Sequence, residues 1–113
     1  MYIKNIDLDQ VLTLKDEIAI QKGQVVSKTL AQNKAVSITL FAFDKDEEIA
    51  THDSTGDAFV YVLEGKGQFT VDGVKHEVRA GECLIMPATI PHSVYALEPF
   101  KWILTVVFPD GYK

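Results

Sequence analysis

The sequence predicts an all-β, antiparallel fold closed into a sandwich or barrel, preceded by one short helix. Three observations carry this. From Gln24 onward the apolar residues recur with period two, as in Val36, Ile38, Leu40 and Ala42 against Ser37, Thr39, Phe41 and Phe43, a strand pattern rich in β-formers. Turn signals (Ser54-Thr55-Gly56-Asp57, Gly65-Lys66-Gly67, Asp72-Gly73, Ala80-Gly81, Pro87, Pro91, Pro99, Pro109) punctuate the strand-like runs at spacings of about 8–12 residues. Between those runs no stretch of about 12 residues has helical period, so βαβ crossovers are absent and the sheet is antiparallel.

Element by element, Thr13-Leu14-Lys15-Asp16 has the form of a capping box, Leu14 and Ile18 stand four apart, and Gly23 follows as a stop; the spacing predicts a short helix over 14–21. The strand over 36–43 carries apolar groups on both faces. The clearest hairpin is Phe69-Thr70-Val71 and Val74 to Val78 around Asp72-Gly73, because Asp-Gly supplies the positive φ values of a type I′ turn. These signals alone do not separate a jelly roll from an immunoglobulin-like sandwich.

With 113 residues and 47% hydrophobic side chains, the chain reads as one domain able to bury a core without disulfide staples. Its formal charge is 11 − 16 = −5, with the basic residues scattered, so no positive footprint for a phosphate backbone exists and nucleic acid is not an expected partner. Cys83 is the single cysteine, which excludes an intramolecular disulfide and fits a reducing compartment, the cytoplasm. Met1 to Asp9 alternates apolar with polar groups instead of forming an apolar export segment, and the run Ile103 to Phe108 is interrupted by Thr105, far short of a bilayer of about 30 Å. No membrane partner is expected, and no repeat or low-complexity linker is present.

Residues 46–96 resemble the two motifs of the cupin superfamily. Asp46, His52, Ser54, Ala58 and Gly65 fall where the first motif has glycine, two histidines, glutamate and glycine, followed by Tyr61-Val62-Leu63-Glu64-Gly65-Lys66-Gly67. Gly81, Pro87, Thr89, His92 and Ala96 fall on the second. The resemblance implies a small single-domain cupin of the conserved-barrel type: an antiparallel jelly-roll β-barrel spanning 1–113, with an N-terminal arm over 1–23 and a barrel core over about 24–109. It also implies that His52 and His92 face a common pocket as a partial metal-ligand set, while Ser54 and Ala58 replace a histidine and a glutamate. A divalent ion (Zn, Mn, Fe or Ni) held there is expected to bind weakly, since catalytic sites usually keep about three protein ligands.

Asp57 neighbours the vacated Ala58 position, and one step along a strand turns a side chain to the opposite face, so Asp57 reaches the pocket only through a bulge. His76 shares a face with Val74 and Val78 and reads as a packed histidine. Phe41, Phe43, Phe59, Tyr61, Tyr95 and Trp102 read as core or subunit contact. Cys83, leading the apolar run Leu84-Ile85-Met86 with no basic neighbour, reads as buried and inert. The run Asp44-Lys45-Asp46-Glu47-Glu48 reads as a solvated loop.

Doubly apolar strands and the apolar arm (Ile3, Ile6, Leu8, Val11, Leu12) leave more hydrophobic surface than one small barrel needs, and a homodimer, with the arm reaching the partner, is expected as in many cupins. The functional expectation is a protein binding a small molecule in the barrel. Its alternative is a metal-free or metal-dependent enzyme of isomerase/epimerase, dioxygenase or decarboxylase type using His52 and His92, the reaction not being transferable from fold.

Overall fold

The computed structural model describes residues 2–109. Its strands are β1 Val25–Gln32, β2 Val36–Phe43, β3 Glu48–His52, β4 Asp57–Glu64, β5 Lys66–Val71, β6 Val74–Arg79, β7 Cys83–Met86, β8 His92–Ala96 and β9 Phe100–Val107. They form two antiparallel sheets, β1-β2-β9-β4-β7 and β3-β8-β5-β6, the jelly-roll barrel that the sequence anticipates.

Packed between the sheets are the inward residues of both. Trp102 stacks on Phe41 with ring centroids 4.6 Å apart, and Phe43, Phe69 and Phe100 close around it edge-on or stacked. Offset and edge-to-face contacts of this kind add to plain area burial. The Asp72-Gly73 turn forms as its sequence requires, with φ of 49° and 78° and Val71 paired to Val74.

Another glycine is demanded by crowding. Gly65 has φ +73°, and a Cβ there would run into the Pro99 carbonyl and Phe100, so only glycine lets β4 turn into β5 against the start of β9.

The predicted helix does not form. Leu14–Glu17 make a single 3₁₀ turn, the Thr13 side chain caps nothing, and Ile18 is already extended. Two causes operate: Asp16, one methylene shorter than the glutamate of a capping box, makes no reciprocal bond, and the sheet competes for Ile18. Ile18 is buried with Leu40 and Ala42, flanked by Leu14, Ile20, Val26, Leu63 and Ile103. The arm therefore runs over the outer face of β1 and β2, which explains why β2 is apolar on both sides. Gly23 is a turn residue at φ +68°, not a helix stop; its N–H donates to Asp44 Oδ2 at 2.7 Å. That bond, with a second from the Lys45 N–H, holds the Asp44 carboxyl below its ordinary range.

Cys83 is exposed, contrary to the buried reading. It pairs with Tyr61 on the outer face of the five-stranded sheet, where β7 is an edge strand. An apolar run on an edge strand with one face in solvent alternates in and out, and Cys83 falls on the outside. Among the described residues no helix is long and apolar enough to cross a membrane.

Candidate functional site

β3 and β8 bring His52 and His92 into direct opposition, with ring centroids 4.3 Å apart and planes at 68°. A bulge makes this meeting work. Ile49 pairs with Val94 and packs on the core, yet His52, three residues on, pairs with His92, two residues back from Val94. In a regular strand an odd step would send His52 to the outer face; the extra residue on β3 reverses the parity and returns it to the side of His92.

Each ring is oriented by the carbonyl two residues before it. His52 Nδ1 donates to the Ala50 carbonyl at 2.9 Å, and His92 Nδ1 to the Ile90 carbonyl at 3.1 Å. A carbonyl only accepts, so each Nδ1 carries the hydrogen and each neutral ring keeps its lone pair on Nε2. The environments differ: His52 is exposed while His92 is 5% exposed. Burial lowers the His92 pKa below its ordinary 6.5 and His52 lowers it further, against the opposing pull of the Ile90 carbonyl and Asp53. His92 is thus a neutral base at physiological pH.

The other positions of the resembled motif serve structure. Ala58 is buried opposite Met86 and Val106, and Ser54 Oγ accepts from the Gly56 N–H at 3.2 Å. Asp57 lies on the exposed face of β4 and accepts from the Ala88 N–H at 2.8 Å; no bulge turns it inward. His76 is half-buried opposite Phe69 on β6, at the sheet edge farthest from β3, so it does not join the pair. Among the described residues no three His, Cys, Asp or Glu side chains converge to hold a metal ion. The donor set present does not fit a tightly bound divalent ion, which needs about three protein ligands.

Sequence reading missed the two loops that frame the pair. The Thr89 N–H donates to the Ser54 carbonyl at 2.7 Å beside the Asp57–Ala88 bond, tying the turn before β8 to the loop before β4. Thr89 itself sits at φ 65°, a conformation costly for a β-branched residue. Tyr95, on the outward side of β8, donates to Asp46 Oδ1, which raises the phenol pKa and pins the loop entering β3. The signal for Thr89 was present in the sequence, since it stands where the second cupin motif has glycine.

The model of the cupin domain family matches residues 39–107, more than half of the chain. The chain belongs to the cupin family. This cupin is 43% identical to the conserved SPY1581 protein of unknown function from Streptococcus pyogenes, with TM-score 0.95 over 97% of this chain and 96% of that one. It is also similar to the cupin superfamily protein DSY2733 from Desulfitobacterium hafniense, at 28% identity and TM-score 0.90 over 95% and 98% of the two chains. Over 72 residues, 64% of its length, the cupin is 32% identical to dimethylsulfoniopropionate lyase DddW of Ruegeria pomeroyi, and the match spans 47% of that enzyme. The cupin therefore spans about half the length of this curated relative.

Proposed function

We propose that this cupin binds a small molecule at the barrel mouth, with Nε2 of His52 and of His92 as the receiving atoms. The observation that carries this reading is the paired tethering of both Nδ1 atoms to backbone carbonyls, which leaves two bare Nε2 lone pairs on rings 4.3 Å apart. Such a pair accepts from an O–H or N–H of a ligand; a small organic acid suits it best, bound as its carboxylate together with a proton that one imidazole takes up from solvent, the anion lying beside the resulting cation. Zn, Mn, Fe or Ni, with only two imidazoles among the described residues to hold it, is a weakly held companion, and the reading routes no step through a metal. The cytoplasm fits the same reading, because a free thiol such as Cys83 stays reduced there.

The test is nitrogen-detected NMR of the histidines in untagged protein, titrated with a panel of small mono- and dicarboxylic acids. Binding moves the Nε2 resonances of His52 and His92 and leaves those of His76 in place. No response at His52 and His92 to any acid, or an equal response at His76, overturns the reading. Metal content per chain is measured alongside: well under one ion is expected, and one tightly held ion per chain refutes the weak-metal part.

A second reading is favoured by the lowered pKa of His92: the pair performs base chemistry on its ligand, as an isomerase, epimerase, dioxygenase or decarboxylase, or as a lyase given the relative from Ruegeria pomeroyi. Dimethylsulfoniopropionate is the probe substrate. Turnover that falls by about 10²–10⁴-fold in His92→Ala supports it, and turnover indifferent to that substitution counts against it.

A further inference from the structure

One buried polar group has no part in the fold. Trp102 is 1% exposed, and its indole Nε1–H has no hydrogen-bond partner among the described residues. A donor shut away from water without an acceptor is costly, and native folds keep few. The rings around it are Phe41, Phe43, Phe69 and Phe100, whose side chains carry no acceptor oxygen.

The histidine pair lies one side-chain layer away. His92 precedes Val94 by two positions on the inner face of β8, about 6.6 Å along the strand. Val94 opposes Phe69, and the Phe69 ring lies 5.1 Å from that of Trp102. The core is incompletely closed here: Phe41, Ile49, Val71 and Leu104, from four strands, pack on it half-buried, with Val71 opposite His92 and Ile49 opposite Val94. Phe41 joins the two levels. It stacks on Trp102 while only half-buried, whereas Phe43, Phe69 and Phe100 are fully buried, so it is the ring that moves aside at least cost.

We infer that the Trp102 Nε1–H is a second anchor for the ligand of the histidine pair, donating to an uncharged carbonyl oxygen of an oxo acid whose carboxylate stays beside His52 and His92. This rests on the reading of that pair as the seat of a small organic acid. Chemistry narrows the class. An indole N–H only donates, so the inner end of the ligand carries an acceptor. A second carboxylate would give up its hydration among phenylalanine rings, so that acceptor is neutral. The stem between the two ends passes Phe41, Val71 and Leu104 and is apolar. The ligand enters as Phe41 swings off Trp102, and the orphaned donor gains its partner.

The experiment uses the fact that Trp102 is the single tryptophan, so its indole N–H gives one resonance. The full chain is titrated with hexanoate, 5-oxohexanoate and adipate, and the indole N–H and histidine Nε2 resonances are followed together by NMR. Both monocarboxylates move His52 and His92. Only 5-oxohexanoate moves the indole proton downfield, and it binds roughly 3–10-fold tighter than hexanoate, the worth of one hydrogen bond. In Trp102→Phe that preference disappears. Histidines that respond while the indole stays still overturn the inference and leave the histidine reading standing; silence of both toward every acid overturns both. An indole that responds equally to hexanoate, or adipate binding as tightly as 5-oxohexanoate, also overturns it. If Trp102→Phe loses its fold, the wild-type indole decides: an N–H held upfield by a ring face and unmoved by 5-oxohexanoate is satisfied within the core, the overturning result.

Discussion

Asp57 and Ala88 lie 31 positions apart and are joined by a 2.8 Å bond from the Ala88 N–H to Asp57 Oδ1. The bond fastens the turn that delivers His92 to the first residue of β4. Asp57 is in this way a positioning residue for the histidine pair although its side chain points away from the barrel interior.

Removing that acceptor loosens the turn. Asp57→Ala is expected to cost about 0.5–1.5 kcal/mol in urea unfolding and to broaden the His92 ring resonances, while Asp57→Asn, which keeps an oxygen in place, restores most of both. Equal behaviour of the two variants would show that the bond does not hold the turn.

His92 makes stability depend on pH. Its folded pKa lies below the ordinary 6.5, chiefly through burial and next through His52, so below 6.5 the unfolded chain binds more protons than the folded one. Stability contributed by neutral His92 is therefore fully present above pH 6.5 and is lost as pH falls toward the folded pKa. Urea midpoints measured across this range should decline more steeply in wild type than in His92→Gln. In His52→Ala the NMR titration midpoint of His92 rises, since both a neighbouring charge and a covering ring are gone; a midpoint that falls would contradict this account.

Thr89 offers a gain. At φ 65° a β-branched residue bears a strain of about 1–2 kcal/mol that glycine escapes, less the roughly 0.4–1 kcal/mol glycine adds to unfolded-chain entropy. Thr89→Gly should be about 1 kcal/mol more stable by thermal unfolding, and a destabilised variant would mean that the threonine side chain makes a compensating contact.

Two glycines separate strain from crowding. Gly65 and Gly81 both have positive φ, but a Cβ at Gly81 meets nothing within 4 Å whereas one at Gly65 meets Pro99 and Phe100. Gly81→Ala should cost about 1–2 kcal/mol from backbone strain alone. Gly65→Ala adds overpacking of about 1–3 kcal/mol, and a Gly65 variant no worse than the Gly81 variant refutes the close approach.

Strand period and turn chemistry were enough to read β2 over Val36–Phe43 and the Asp72-Gly73 hairpin, because both signals are local. The arm was misread for the opposite reason: the local capping pattern at Thr13 lost to a tertiary partner, the Leu40 and Ala42 face, that no window of sequence displays. His52 and His92 were legible through the motif, yet the bulge that turns His52 inward was not, since two ordinary residues, Ala50 and Thr51, carry it. Cys83 was misplaced because an apolar neighbourhood does not say which of two strand faces a residue occupies, nor that β7 is an edge.

β9 is the member of the five-stranded sheet that both β2 and β4 require, pairing with each along its length. Those two strands never touch one another in the ladder. During synthesis, then, the hairpin β1–β2 and the segment from β4 through β7 wait as separate pieces, each with an unsatisfied backbone edge, until the ribosome releases the stretch ending at Val107. Closure of the barrel is a late event governed by the longest sequence separations among the strand pairings, and the nascent chain is most open to misassembly in the interval just before it.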